Sequence, residues 1–221
     1  TPATRSILIL APQPFFQNRG TPIAVRLLAL ELARLGYDVH LLVFHEGEEV
    51  VMEGVQLHRI PAIPGIKNIP PSLSLKKIVC DVFMFFKAIG LLRRHRFTVI
   101  HAVEESAFMA MVLKTIFGTP YIYDMDSSLA QQVVEKFAFF RPLGPALRFC
   151  EGMAVKSSCG VVAVCRALED IARAHAPEKL VARLEDISLL EDSGSSDEIL
   201  RQRRHITGPI MLYVGNLERY Q

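Results

Sequence analysis

The residues able to do chemistry crowd into two short stretches. His101, Glu104 and Glu105 lie together in IHAVEESAF, and Asp124, Asp126, Ser127 and Ser128 in YIYDMDSSL. Carboxylates and an imidazole so placed can hydrogen-bond the hydroxyls of a sugar-like ligand, although serines after an acid also suit the cap of a following helix. Adjacent glutamates do not by themselves make a glycoside hydrolase, which needs two carboxyl groups across one glycosidic bond at a controlled separation. His101, Asp124 and Asp126 form no compact ligand motif, so neither a metal nor another cofactor is expected. The cysteines, Cys80, Cys150, Cys159 and Cys165, lie apart in mainly apolar sequence and read as reduced core thiols.

Both stretches follow strand-like runs, FTVIHA at Phe97–Ala102 and Tyr121–Met125, so their reactive groups fall at strand exits. The chain is organised around Ser6–Phe44. SILILAP is apolar without alternation, as in a parallel strand covered on both faces. A loop containing Arg19, Gly20 and Thr21 follows, then a helix that Thr21 can cap, Pro22 can begin and Gly36 can end. Its apolar stripe is expected at Ala24, Leu27, Leu28, Leu32 and Leu35, ahead of strands at Asp38–Phe44 and Val55–Ile60. This is the opening of an α/β fold with a doubly wound, mostly parallel sheet, and Gln13–Pro22 lies at the carboxyl edge where such sheets bind ligands. With strands one, four and five adjacent, that loop faces Asp126, the prime candidate. Neither strand exit carries GxGxxG, which excludes the nicotinamide and flavin fingerprint.

The proline-rich stretch Pro61–Pro71 reads as a surface loop. A helix over Ser74–Arg94 carries Val79, Val82, Phe83, Phe85 and Phe86 beside Lys76, Lys77, Lys87, Arg93 and Arg94. That surface suits packing on the sheet or contact with an anionic membrane; Asp81 and Lys87 interrupt it too often for a spanning segment. Helices are expected at Ser106–Phe117, Leu129–Phe140, Ala146–Lys156 (with Glu151 on a surface face) and Arg166–Ala176, and strands at Gly160–Val164 and Leu180–Ile187. Residues 1–187 make one domain, 188–208 a polar connection, and 209–221 the first strand of a truncated second domain. A formal charge of +2 gives no electrostatic case for nucleic acid. No secretory signal is expected, which favours a cytoplasmic protein, with peripheral placement at the inner membrane face as an option.

The loop ending Arg19-Gly20-Thr21-Pro22, then LLALELARLGYDVHLLVF, IHAVEESAF, GTPYIYDMDSSL, GVVAVCRAL and YVGNLE, taken in order, resembles the N-terminal half of GT-B glycosyltransferases of retaining family four. The resemblance implies a Rossmann-like acceptor domain and a nucleotide-sugar donor domain with catalysis between them and no catalytic metal. It implies that Gly20, with Arg19 and Thr21, approaches the donor diphosphate, and that Gly215 and Arg219 lie on the donor side. It also places His101 and Asp126 beside the transferred sugar, and Glu104, Glu105 and Ser127 beside the acceptor. Two positions depart from the family pattern. Asp126 stands where many members carry histidine, and an aspartate lacks the donor of a neutral imidazole, so sugar selection or acceptor orientation is expected of it. Asn216 and Gln221 stand where cations often meet the donor phosphates. The implied function is transfer from a UDP- or GDP-sugar to a sugar or lipid-linked hydroxyl, with a membrane surface as a further partner; the fragment alone is expected to be inactive. A non-catalytic sugar- or nucleotide-binding module and a nucleotide-sugar epimerase are the alternatives.

Overall fold

The computed structural model describes residues 5–70, 74–128, 130–131, 133, 142–187, 204–205, 207–209 and 211. Seven parallel strands form one sheet in the order β3-β2-β1-β4-β5-β6-β7. They are β1 Ser6–Ala11, β2 Asp38–Val43, β3 Val55–Arg59, β4 Val99–Val103, β5 Tyr121–Met125, β6 Gly160–Ala163 and β7 Val181–Arg183. The helices are α1 Gly20–Arg34, α2 Leu75–Arg94, α3 Ser106–Phe117, α4 Gly144–Ser157 and α5 Arg166–His175. The chain divides into a compact unit Thr1–Asp186 and a second, Ile187–Gln221.

The strand order decides which face each helix covers. From β1 the chain steps outward to β2 and β3, then returns past β1 to β4 and continues the other way. Right-handed crossovers therefore put α1 on one face and the later helices on the other. Along β1, Ile7, Ile9 and Ala11 pack with Val25 and Ala29 of α1, whereas Leu8 and Leu10 join the opposite core with Met84, Ala110, Ala154 and Ala172. The sense of winding reverses between β1 and β4. The carboxyl edge at this switch point is where open α/β sheets bind ligands.

Several local expectations are corrected. Helix α1 begins at Gly20 with Arg19 as its extended N-cap residue and no side-chain cap, so Thr21 is not the cap. Its buried row is Pro22, Val25 and Ala29, one position off the stripe expected from its leucines, and Leu35 is exposed. In α2 the buried row is Cys80, Met84, Ala88, Leu91 and Leu92, and the bulky residues Val82, Phe83 and Phe86 face outward. β7 stops at Arg183, well short of Ile187. Of the four cysteines, only Cys80 is buried, and Cys159 and Cys165 are exposed. Glu151 is buried, not on a surface, and its carboxylate accepts the Ser128 hydroxyl at 2.9 and 3.0 Å. Among the described residues, no helix is long and apolar enough to cross a membrane.

Candidate functional site

The loop after β1 is pinned in place before it reaches α1. Phe15 N–H donates to the Glu46 carbonyl at 2.8 Å, and Phe16 and Glu48 exchange backbone bonds at 3.2 and 3.0 Å. Phe15 and Phe16 are buried, and Arg26 stacks over the Phe16 ring with its guanidinium 5.2 Å from the centroid. The close approach depends on Gly47. Its φ is +120°, and a Cβ there would stand 2.2 Å from the Phe15 carbonyl carbon and oxygen. A Gly47→Ala substitution is therefore expected to destabilise the domain by roughly 1–2 kcal/mol in urea unfolding, through the disallowed φ and the backbone clash together.

Gly20 is different. Its φ lies outside the left-handed region, and a Cβ would meet nothing within 4 Å. The turn does not need glycine, and open space lies where the side chain would be. With no side-chain cap at Arg19, the Gly20 and Thr21 N–H groups are left for an anion at the carboxyl edge, since Pro22 has none and Ile23 donates to the Arg19 carbonyl at 3.1 Å.

The exits of β4 and β5 meet this loop from the other side of the switch point. Adjacent pairing of β1 with β4 and of β4 with β5 brings them together. Thr21 lies near enough to lower the Asp126 carboxyl, which sets the first loop beside the exit of β5. Burial, the Asp124 and Glu104 carboxylates, and Asp186 more weakly, push the Asp126 carboxyl up to about 8, with Thr21 opposing them. Asp126 is thus a neutral acid at neutral pH and carries an O–H donor.

Glu104 occupies the turn between β4 and α3 with φ +51°, an uncommon conformation outside glycine, and its N–H donates to the Asp124 carbonyl at 2.9 Å. Burial, with Glu105 and Asp124 adding to it and Lys77 opposing, raises Glu104 to about 7. Glu105 forms a 2.5 Å ion pair with Lys77 of α2, which also lies 3.9 Å from Glu104. Burial depresses Lys77, but the two glutamates outweigh it and hold the ammonium above its ordinary range. Asp81, one turn along α2, is raised to about 8 by burial and by Glu105, against the pull of Lys77. Lys77 and Asp81 belong to the same charge cluster, and sequence reasoning missed them. Lysine and aspartate at i, i+4 in an otherwise apolar helix were the available signal.

His101 does not sit at a strand exit. β4 runs to Val103, so the imidazole lies within the strand, 5% exposed, with Nε2 2.7 Å from Asp124 Oδ2. It reaches Asp126 only through Asp124. Ser127 is half-buried at the same exit, and Ser128 caps the next helical turn by accepting from Gln131 N–H at 3.3 Å. Gly215, Arg219, Asn216 and Gln221 lie outside the described residues. Among the described residues, no group of three or more histidine, cysteine or acidic side chains is arranged to hold a metal.

Similarity to known proteins agrees with this geometry. The sucrose-phosphate synthase of Thermosynechococcus elongatus superposes with a TM-score of 0.60 at 16% identity, covering 83% of this chain and 48% of that one. LpCGTa, solved in complex with UDP, superposes at 0.55 and 12% identity, covering 84% of this chain and 53% of its own. A ugt transferase from Siraitia grosvenorii, also with UDP, gives 0.50 and 11%, covering 90% and 55%. This chain spans about half the length of these structures. No curated protein matches by sequence. The Rossmann-like sheet, with the β1 loop and the β4 and β5 exits at its carboxyl edge, is an N-terminal GT-B domain. Because the glycosyl transferase 4-like domain matches residues 19–183, from the first loop to the end of the last strand, the chain belongs to that family.

Proposed function

We propose that the protein supplies the acceptor-side half of a retaining glycosyltransferase, which moves a sugar from a UDP- or GDP-sugar to a hydroxyl on a sugar or lipid-linked acceptor. The observation that carries this reading is the pairing of β1 with β4 and of β4 with β5, which brings the glycine-bearing loop and the acid at the β5 exit to one sheet edge in a chain of this family. The donor diphosphate meets the uncapped N-terminus of α1, where Gly20 leaves room for it and Arg19 is exposed. The protonated Asp126 donates to an oxygen of the transferred sugar. Its neutrality also keeps a fixed negative charge away from the diphosphate, which a crevice of ionised acids would repel. Glu104 orients the acceptor hydroxyl as the bond between the anomeric carbon and the diphosphate breaks, with Glu105 and Ser127 at the rim. His101 acts through Asp124, as a positioning residue. Catalysis is by placement and by electrostatic stabilisation of the separating charges.

The test is a panel of UDP- and GDP-sugars and hydroxyl acceptors with the full-length gene product, read by mass spectrometry, with the anomeric configuration of the product read by NMR. An acceptor enlarged by one sugar with its configuration retained is the expected result. A donor sugar altered without any acceptor means an epimerase, and donor binding without turnover means a binding module; either overturns the proposal. Gly20→Val is expected to weaken donor affinity about tenfold without loss of thermal stability, because the added side chain meets solvent in the free protein and phosphate in the complex. Unchanged donor affinity would remove the loop from the donor site.

A further inference from the structure

Helix α2 is apolar on both sides. Its inner row, Cys80, Met84, Ala88 and Leu91, is buried against the sheet. Its outer row repeats at helical spacing through Leu75, Ile78, Val82 and Phe86, which are 78, 47, 49 and 65% exposed, with Phe83 beside them at 41%. A helix packed on a sheet ordinarily turns charged residues outward. Here the solvent face holds an unbroken line of branched and aromatic side chains over three turns, the kind of patch that marks an interaction surface.

The charges on this helix identify the partner. Its one acid, Asp81, is half-buried, with Oδ1 enclosed beside the Lys77–Glu105 ion pair. Apart from buried Lys77, its cations lie outward or on the flank: Lys76, Arg93 and Arg94 are exposed, Lys87 is half-exposed, and exposed Arg96 follows the C-terminus. The outer face therefore presents apolar bulk bordered by positive charge, with no carboxylate among its own residues. A second copy of this chain would set one basic border against another. An anionic lipid surface satisfies both features, because bulky side chains enter the boundary between headgroups and acyl chains while lysine and arginine stay at the phosphates.

We propose that the outer face of α2 docks the protein on an anionic bilayer, with Leu75, Ile78, Val82 and Phe86 inserted and Lys76, Lys87, Arg93 and Arg94 against the lipid phosphates. The helix starts at the carboxyl edge of the sheet, where Lys77 on its inner side holds Glu105. Docking through α2 thus brings the β4 exit close to the membrane. The consequence for function rests on the transferase reading: an acceptor carried by a lipid would enter the site past the N-terminus of α2.

Vesicle co-sedimentation of the protein tests docking without reference to activity. The protein is expected to sediment with vesicles of phosphatidylglycerol and phosphatidylcholine, and not with phosphatidylcholine alone. Val82→Ser with Phe86→Ser should lower the partition coefficient more than about tenfold, since two inserted side chains are lost. Lys76→Glu with Arg94→Glu should lower it comparably and abolish its salt dependence. Arg34→Glu, at the end of α1 on the opposite face, should leave it within about twofold. Circular dichroism of each variant confirms that the fold is kept; the substituted side chains are exposed in the free protein. No sedimentation with anionic vesicles, or sedimentation unaffected by the α2 substitutions, overturns the proposal. So does a dimer, seen by light scattering, that Phe86→Ser dissociates. Vesicle binding together with an absence of transfer to any acceptor would uphold docking and overturn the transferase reading instead.

Discussion

Replacing Asp126 with alanine is expected to lower the transfer rate by about 10²–10³-fold, while asparagine retains most of it. The expectation follows from the protonation state of the residue. Burial and the neighbouring Asp124 and Glu104 carboxylates hold Asp126 near 8, so at neutral pH it offers an O–H. Asparagine keeps a donor in the same place and alanine removes it. A residue needed as an ionised base or nucleophile would behave otherwise, with asparagine as damaging as alanine. The same argument fixes the pH dependence. The wild-type rate should fall as pH rises through about 8, as the carboxyl ionises, and this fall should be absent from the Asp126→Asn rate. Turnover rates of the three proteins, measured from about pH 6 to about pH 9, decide the matter. Equal losses in both variants, or a wild-type rate that rises through that range, would exclude a donating acid.

The doubly wound sheet was legible because parallel strands buried on both faces produce uninterrupted apolar runs such as Ile7–Leu10, and glycine and proline mark the helix ends between them. The switch point between β1 and β4 was legible too, since it follows from winding and strand order. Protonation was not. The state of Asp126 depends on Asp124, Glu104 and Thr21 together, and only the adjacency of β1, β4 and β5 assembles them. Helix faces were the second weak point. In α1 and α2 apolar residues occur nearly all round, so periodicity alone selects no inner row. Small side chains at the closest approach help decide it: Ala29 in α1, with Cys80 and Ala88 in α2, face the sheet beside Met84, Leu91 and Leu92, and Phe83 and Phe86 turn outward. Glu151 was misplaced for a related reason, because a buried carboxylate needs a donor from a distant segment, and Ser128 supplies it.

The domain should lose on the order of 3 kcal/mol of stability between about pH 6.5 and about pH 8.5, although most proteins are near their optimum there. Asp81 and Asp126, both raised to about 8, and Glu104, raised to about 7, are responsible. In the unfolded chain these acids ionise near 4, so across this window the folded state binds more protons than the unfolded state. Stability therefore falls as pH rises, and the fall ends once the folded-state carboxyls have ionised. The buried histidines act in the opposite direction at lower pH. Burial depresses His58 to about 4 and also lowers His40, so their contribution rises with pH up to the ordinary histidine range and is constant beyond it. Lys77, held above its ordinary range, changes only at higher pH than this window. The acids alone are left to titrate between 6.5 and 8.5. Asp81 is the clearest of them to test, because its Oδ1 has no hydrogen-bond partner among the described residues and it lies on α2 away from the switch point. Asp81→Asn should raise stability at both pH values, and by roughly 1–2 kcal/mol more at about pH 8.5 than at about pH 6.5, since the amide ionises in neither state. Urea unfolding at the two pH values measures both effects. If the wild-type stability is flat or rises across the window, the carboxyls are ionised in the folded protein, and the neutral acid at Asp126 falls with them.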